Sequence, residues 1–208
     1  MKNIAVIAPH PDDETLGCGG TIIKHRENGD FVCVLFVTCA TDELRTTCKR
    51  VTDTYGVSFT HLDLPEIYLD TVQLADIVDK FTIIFRELKP DTVYLPGAND
   101  VHSDHRIVFN AAWSCCKTFR FQTIKRVLMY ETISETDYSA PVYPAFTPNV
   151  FSCLTNEIIN KKLDVMELYG DEMSFPRDES NIIALARIRG AQANTTYAES
   201  FVLLKEIQ

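Results

Sequence analysis

The chain has 208 residues, of which 46% are hydrophobic and 24% charged, as expected for one globular domain of ordinary size. Its 29 acidic and 20 basic residues give a formal charge of −9, and no Lys/Arg-rich run offsets it, which argues against nucleic acid as a partner. The apolar run before Pro9 is too short for a signal peptide or a membrane span. We therefore expect a cytoplasmic protein without a membrane span, folded as a single domain over residues 1–208, that binds a small molecule.

Strand and helix signals alternate along the chain. Asn3–Ala8 is a short, continuous apolar run, typical of a strand buried on both faces, and residues 31–37 repeat the pattern. Between them, the glycine-rich residues 17–20 are expected to form a turn that opens a helix, which should stop at Asn28 and Gly29. The other predicted strands are 57–62, Thr92–Leu95, 127–131, 149–153 and 201–204. The other predicted helices are Asp42–Tyr55, 71–88, 105–119, 155–169 and 180–191.

This alternation predicts an α/β fold, a Rossmann-like three-layer α/β/α arrangement with a mainly parallel sheet. In such a sheet, ligands bind outside the carboxyl ends of the strands, at the point where the strand order reverses. Strands one and four are neighbours at that point in the common doubly wound order. We therefore expect the functional site at the carboxyl ends of strands one and four.

Two segments rich in metal-binding side chains begin directly after those strand ends, at residues 9–14 and 100–105. His10 and Asp13 lie three residues apart in a proline-stiffened turn, and His105 enters a helix from the second segment. Two imidazoles and a carboxylate, with a water as fourth ligand, are the usual catalytic zinc arrangement. The sequence therefore predicts a divalent metal held by these three residues, with zinc preferred and Fe²⁺ or another divalent ion as alternatives.

The neighbouring polar residues have the properties of an acid–base apparatus. Asp12 should diverge from Asp13, which leaves it free to act as the base that takes a proton from a metal-bound water. His102 is expected to stabilise the oxyanion or to protonate the leaving amine, and Asp104 to hold its charge and tautomer. For Asp104, a second interpretation is that its side chain caps the following helix.

These residues carry a resemblance to a known family. The segments APHPDDE at 8–14, GCGG at 17–20 and HSDH at 102–105, together with RIRG at 187–190 and YAESF at 197–201, resemble the LmbE/PIG-L family. Members of that family are zinc-dependent N-deacetylases of glucosaminyl conjugates. The resemblance implies His10, Asp13 and His105 as ligands, Asp12 as base and His102 as general acid or oxyanion partner. It also implies an amino-sugar substrate and a homo-oligomer, either a trimer or a hexamer.

The substrate-binding residues are less well defined by the resemblance. Arg45 could match the family's substrate-binding arginine, in a loop shorter than usual, and Glu66 stands where an aspartate is more common. Arg187 and Arg189 fit either a substrate contact or a salt bridge on a helix surface. The working hypothesis is a zinc-dependent hydrolase that removes an N-acetyl group from an amino sugar or sugar conjugate.

Two other functions remain open on the residues alone. Two histidines and a carboxylate also describe a non-haem iron(II) oxygenase site, although the expected parallel sheet and the unused Asp12 argue against it. A catalytically inactive metal-binding module is the other alternative. Asp12 and His102 argue against that alternative, because a binding module needs ligands but no base or acid.

Overall fold

Seven strands form the single sheet of the computed structural model, which describes all 208 residues. They are β1 (Asn3–Ala8), β2 (Phe31–Phe36), β3 (Ser58–His61), β4 (Thr92–Leu95), β5 (Arg126–Tyr130), β6 (Val150–Leu154) and β7 (Tyr197–Glu206). Their order across the sheet is β3-β2-β1-β4-β5-β7-β6. Strands β1 to β5 pair in parallel, and β7 runs antiparallel to both β5 and β6. The predicted mainly parallel sheet is confirmed, with β1 and β4 side by side where the order reverses.

Six α-helices cover the two faces of this sheet. They are α1 (Asp13–Glu27), α2 (Asp42–Tyr55), α3 (Leu74–Leu88), α4 (Ser103–Cys115), α5 (Asn156–Met166) and α6 (Glu179–Gln192). The alternating side chains of β1 divide between two buried clusters. Ile4 and Val6 pack with α1, α2, α5 and α6, whereas Ala5 and Ile7 pack with α3 and α4. The expected three layers are therefore present. None of the helices combines the length and the hydropathy that a membrane span requires.

The expected glycine turn at residues 17–20 is wrong, because these residues lie inside α1. A Cβ at Gly17 would lie 2.2 Å from Cδ2 of Tyr130, and a Cβ at Gly20 would lie 2.6 Å from Cδ1 of Leu154. The missing side chains let the helix backbone approach β5 and β6 closely. Close tertiary packing thus outweighs the low helix propensity of glycine, and the helix begins at Asp13, before the expected turn.

Several other boundaries differ from the sequence expectations for local reasons. The expected helix 71–88 is split, because a 3₁₀ turn at Leu69–Thr71 is followed by extended backbone at Val72 and Gln73 before α3. Helix α4 begins two residues before His105, because the side chain of His102 caps it. Strand β7 has ten residues instead of the expected four, since it pairs with β5 at one end and with β6 along the other.

Candidate metal centre and its surroundings

The two predicted polar segments meet at the junction of β1 and β4. His10, Asp12 and Asp13 form the turn between β1 and α1, and His102 and His105 belong to the start of α4. The ring centroid of His10 lies 4.6 Å from that of His102 and 5.3 Å from that of His105. The three imidazoles therefore form one cluster, although about ninety residues separate His10 from the other two.

The geometry of His10, Asp13 and His105 fits a small cation. Oδ2 of Asp13 lies 3.2 Å from Nε2 of His105 and 3.5 Å from Nδ1 of His10. Ligand atoms at zinc distances in a tetrahedron lie about 3.3 Å from one another. These three residues form one of two side-chain groups whose ligand atoms are close enough together to share an ion. The other group, His10, His102 and Asp104, uses the same first histidine.

Carboxylates behind the histidines favour the first group. Nδ1 of His105 lies 2.8 Å from Oδ2 of the buried Asp100, and Nε2 of His10 lies 3.1 Å from Oδ2 of Asp104. Each histidine can therefore donate from one ring nitrogen to a carboxylate and keep the other for a metal, as metal-bound histidines usually do. Sequence reasoning assigned no role to Asp100, although its place in the same segment as His105 was a usable signal.

Electrostatics also make this cluster suitable for a cation. Burial would lower the pKa of His10, but its hydrogen bonds to Asp104 and Asp13 outweigh burial and raise the pKa to about 10. Burial likewise opposes charge on His105, yet Asp13 and Asp100 raise its pKa well above the usual value. Burial would raise the pKa of Asp13, whereas the two histidines hold it far below the ordinary range. The buried carboxylates thus create a strongly negative environment around the two rings.

His102 and Asp104 interact differently from the sequence expectation. The backbone N–H of Asp104 donates to Nδ1 of His102 over 3.1 Å, so His102 caps α4, and the interpretation of Asp104 as the cap is wrong. The carboxylate of Asp104 accepts from the backbone N–H of Ile67 and pairs with His10 rather than hydrogen bonding to His102. Because Nδ1 of His102 accepts a hydrogen bond, its neutral ring carries the proton on Nε2.

Asp12 occupies a strained and buried position. Its φ is 130°, outside the usual range for a residue with a Cβ, and the side chain makes no capping hydrogen bond to α1. Burial raises the pKa of Asp12 well above its ordinary value, and the nearby Asp13 adds to the effect. A guanidinium nitrogen of Arg177 lies 3.6 Å from Oδ2 of Asp12. Sequence reasoning missed Arg177, because nothing local links residue 177 to the first turn of the chain.

Glu14 holds the turn around Asp12 in place. Its Oε2 accepts from the backbone N–H of Asp12 over 3.2 Å, and its Oε1 accepts from the hydroxyl of Tyr169 over 2.6 Å. Burial raises the pKa of Glu14 to about 7, against the opposing effect of these hydrogen bonds. The strained backbone at Asp12 is thus fixed by a neighbouring side chain.

The structure places the remaining candidates outside this cluster. Arg45 forms ion pairs with Asp42 and Asp63, and Glu66 is exposed one residue before Ile67, which contacts Asp104. Arg189 makes a double hydrogen bond to Glu131 at 2.7 and 2.6 Å, as the salt-bridge interpretation expected. Arg187 lies over the ring of Tyr197, with 5.8 Å between the guanidinium carbon and the centroid.

The fold is thus a mainly parallel α/β sheet whose switch point carries a His/Asp cluster with ligand atoms close enough together to hold a metal ion. The profile of the family described as PIG-L, GlcNAc-PI de-N-acetylase, matches residues 5–116, which include every residue of the cluster. The chain belongs to the PIG-L (LmbE-like) family of deacetylases. It is also 26% identical over 177 residues to the uncharacterized deacetylase YaiS of Escherichia coli (strain K12), an alignment that covers 80% of this chain and 89% of YaiS.

Solved structures with the same fold cover nearly the whole chain. The conserved protein TT1542 from Thermus thermophilus is 23% identical, with a TM-score of 0.80 and coverage of 100% of this chain and 97% of that one. The N,N'-diacetylchitobiose deacetylase from Pyrococcus horikoshii is 21% identical, with a TM-score of 0.76 and coverage of 98% and 84%. The 4-carboxy-2-hydroxymuconate hydratase GalB from Pseudomonas putida KT2440 is 16% identical, with a TM-score of 0.78 and coverage of 100% and 98%. The fold therefore accommodates more than one reaction.

Proposed function

We propose that this protein is a metal-dependent hydrolase that removes the N-acetyl group from an amino sugar or sugar conjugate. The observation that carries the proposal is the arrangement of Asp12 beside the triad of His10, Asp13 and His105. A metal-binding module needs only the triad. Here a buried carboxylate that neither caps a helix nor belongs to the triad lies next to it.

The residues present fit a divalent metal, with zinc as the proposed ion. His10, Asp13 and His105 would hold it, with Asp104 and Asp100 orienting the two histidines. A bound ion of this kind supplies Lewis acidity, which polarises a carbonyl and lowers the pKa of water. Two nitrogen ligands and one oxygen ligand suit zinc better than magnesium or calcium, which prefer oxygen ligands.

Asp12 is proposed as the general base. Its raised pKa makes the ionised carboxylate a stronger base than an exposed aspartate. It takes a proton from the attacking water as the new bond to the amide carbon forms. It then returns a proton to the nitrogen as the C–N bond breaks, so that the products are acetate and a free amine.

His102 is proposed to donate a hydrogen bond from Nε2 to the developing oxyanion. Burial, with the charges of His10 and His105, lowers the pKa of His102, so that the ring is neutral near pH 7. The hydrogen bond that its Nδ1 accepts from Asp104 is available only to the ring without a proton at that nitrogen. Both observations favour a neutral donor over a charged general acid.

Released acetate and free amine should be measured with a panel of N-acetylated sugars, nucleotide sugars and glycosides, and bound metal by elemental analysis. We expect close to one divalent ion per chain, and its loss in His10→Ala, Asp13→Ala and His105→Ala. Full metal content in all three variants would overturn the ligand assignment. Bound metal with no amine released from any substrate would favour the inactive module, and oxygen consumption with a 2-oxo acid would favour the oxygenase.

A further inference from the structure

A large cavity lies between the loop that follows β5 and helix α6. Its volume is about 760 Å³, which is within the range of small-molecule sites. Phe146, Phe175, Leu185 and Ile188 provide much of its apolar lining. Two of these side chains remain largely exposed, 82% for Phe175 and 57% for Ile188. The cavity is separate from the candidate metal centre, because its lining includes none of the six candidate residues there, which are His10, Asp12, Asp13, His102, Asp104 and His105.

Hydrogen bonds connect the wall of the cavity to a proposed metal ligand. The backbone N–H of Thr132 donates to the hydroxyl of Thr136, and this hydroxyl donates to Oδ1 of Asp100 over 2.7 Å. The other oxygen of Asp100 pairs with His105. Thr132 and Thr136 both line the cavity.

A second connection runs along the chain on the other side of the cavity. Phe175 and Pro176 line it, and the next residue, Arg177, is the partner of Asp12. The first connection leaves Asp100 and His105 between the cavity wall and the proposed metal position, and the second leaves Arg177 between the cavity and Asp12. A group in the cavity can therefore belong to the same molecule as an amide at the metal centre.

The cavity also contains polar groups that lack partners. The hydroxyls of Thr132 and Ser139 are buried and make no hydrogen bond. Thr132 as a whole is only 2% exposed. An unpaired buried hydroxyl is costly, and a ligand with hydrogen-bonding atoms would satisfy it. The charges of Glu131 and Arg189, by contrast, are already paired with each other, and Asp137, the remaining charged residue of the lining, is exposed to solvent. The lining thus suits an uncharged ligand with apolar faces and a few polar atoms.

We propose that this cavity binds an apolar, ring-sized aglycone joined to the N-acetyl amino sugar through a polar linkage. This inference rests on the proposed function: if the acyl group is an acetyl of two carbons, a group that fills this cavity lies on the sugar side of the amide. Aromatic and aliphatic walls supply the affinity for the aglycone, and Thr132 and Ser139 bind its polar atoms. The protein then hydrolyses aryl or alkyl glycosides of the amino sugar in preference to the free sugar.

The experiment compares kcat/KM for N-acetylglucosamine with that for its phenyl glycoside, following the free amine. We expect the phenyl glycoside to be preferred by about tenfold or more, mainly through KM. A series of free sugars with longer N-acyl chains tests the alternative that the cavity binds the acyl group instead of the aglycone. Preference for a long acyl chain with no effect of the phenyl group would overturn the proposal, as would equal values for both sugars.

Two alanines on α6 provide a matched pair of variants. Ala184 lines the cavity and Ala191 does not, and both are exposed on the same helix, so neither Ala184→Trp nor Ala191→Trp disturbs the core. Ala184→Trp should fill the cavity and lower the preference for the phenyl glycoside about tenfold, with activity on the free sugar within about threefold of wild type. Ala191→Trp should behave as wild type. An unchanged preference in Ala184→Trp would overturn the assignment.

A binding measurement separates this inference from the proposed reaction. Phenyl β-glucoside has no amide, so its binding can be measured by calorimetry whether or not the protein is a deacetylase. Binding that Ala184→Trp abolishes, together with no amine released from any substrate, would support the cavity and contradict the proposed reaction. Deacetylation without binding of phenyl β-glucoside would support the proposed reaction and contradict the proposed role of the cavity. A change of oligomeric state in Ala184→Trp with unaltered preference would instead identify the cavity as a contact between copies of the chain.

Discussion

Asp12 combines a buried carboxylate, a backbone φ of 130° and the absence of any capping hydrogen bond. Residues in sparsely populated backbone regions cost about 1–3 kcal/mol, and they persist where the surrounding structure holds them. Here Glu14 provides that support through the backbone N–H of Asp12. The unfavourable backbone at this position therefore belongs to a side chain that does not cap α1 and that is proposed as the general base.

Asp12→Asn should separate catalysis from structure. Asparagine tolerates positive φ better than most residues, so the fold and the bound metal should be retained. Without the base, kcat/KM should fall by about 10²–10⁴-fold. Steady-state kinetics and elemental analysis check this, with Asp53→Asn on the exposed part of α2 as control. Activity within a few-fold of wild type would show that another group accepts the proton.

For individual residues, the sequence predicts which candidate ligands come together but not which side chains hold their neighbours in place. The positions of His10, Asp13 and His105 after strand ends were sufficient to predict that they meet, because the fold class determines where strand ends converge. Their roles as ligands stay predictions. The contact of Arg177 with Asp12 depends on the path of the chain after α5, for which the sequence has no local signal.

At the scale of elements, α1 shows why strands were easier to predict than the glycine-rich helix. The predicted bounds of β1 and β4 agree with the structure, because each apolar run is short, contains β-branched residues and is closely followed by a proline, all of which favour a strand. The glycines of α1 were interpreted by their local preference, but their neighbours in space decide the outcome. Tyr130 packs against Gly17, and its hydroxyl donates to the carbonyl oxygen of Ile7 in β1.

Gly17→Ala should test this packing. Alanine favours a helix interior over glycine by up to about 1 kcal/mol, but the added Cβ would lie 2.2 Å from Tyr130. Overpacking of a core costs about 1–3 kcal/mol, so the free energy of unfolding should fall. Chemical denaturation measures it, with Gly29→Asn as control, because nothing lies within 4 Å there and asparagine tolerates the positive φ. A variant as stable as wild type would show that Tyr130 moves aside without cost.

For the whole molecule, the two ends of the sheet differ in their polar groups. The carboxyl ends of β1 and β4 hold the candidate metal centre. At the other end, Oδ1 of Asp30 accepts from the backbone N–H of Lys2, and Oδ2 pairs with His25, both over 2.8 Å. That cluster lies far along the sheet from the metal centre and therefore affects stability without touching the chemistry.

Asp30→Asn should reveal this contribution through its pH dependence. Burial would raise the pKa of Asp30, but hydrogen bonds from His25 and Lys2 outweigh burial and lower it. Because the folded value lies below the unfolded value of about 3.9, the ionised carboxylate stabilises the fold above that pH. The stabilisation disappears as the pH falls through the lowered pKa. The difference in unfolding free energy between wild type and variant should therefore shrink from about pH 5 toward about pH 3. A difference that grows over that interval would contradict the assignment.

Two further expectations concern the whole molecule, namely the single-domain organisation and the trimer or hexamer, and both stay predictions. One continuous sheet supports two cores, but assembly depends on surfaces whose partners the sequence does not name. Light scattering at micromolar concentration is the measurement that decides the oligomeric state.

The proposed ligands, the base and the oxyanion donor all precede residue 106, whereas the cavity is formed entirely by residues 131–189. The two parts meet through a few hydrogen bonds, such as that from Thr136 to Asp100. If the cavity binds the aglycone as proposed, substitutions of its lining residues would change the group that is recognised while the reacting groups stay in place. Divergence confined to the cavity lining would then change the substrate of a relative while leaving its proposed ligands, base and oxyanion donor in place.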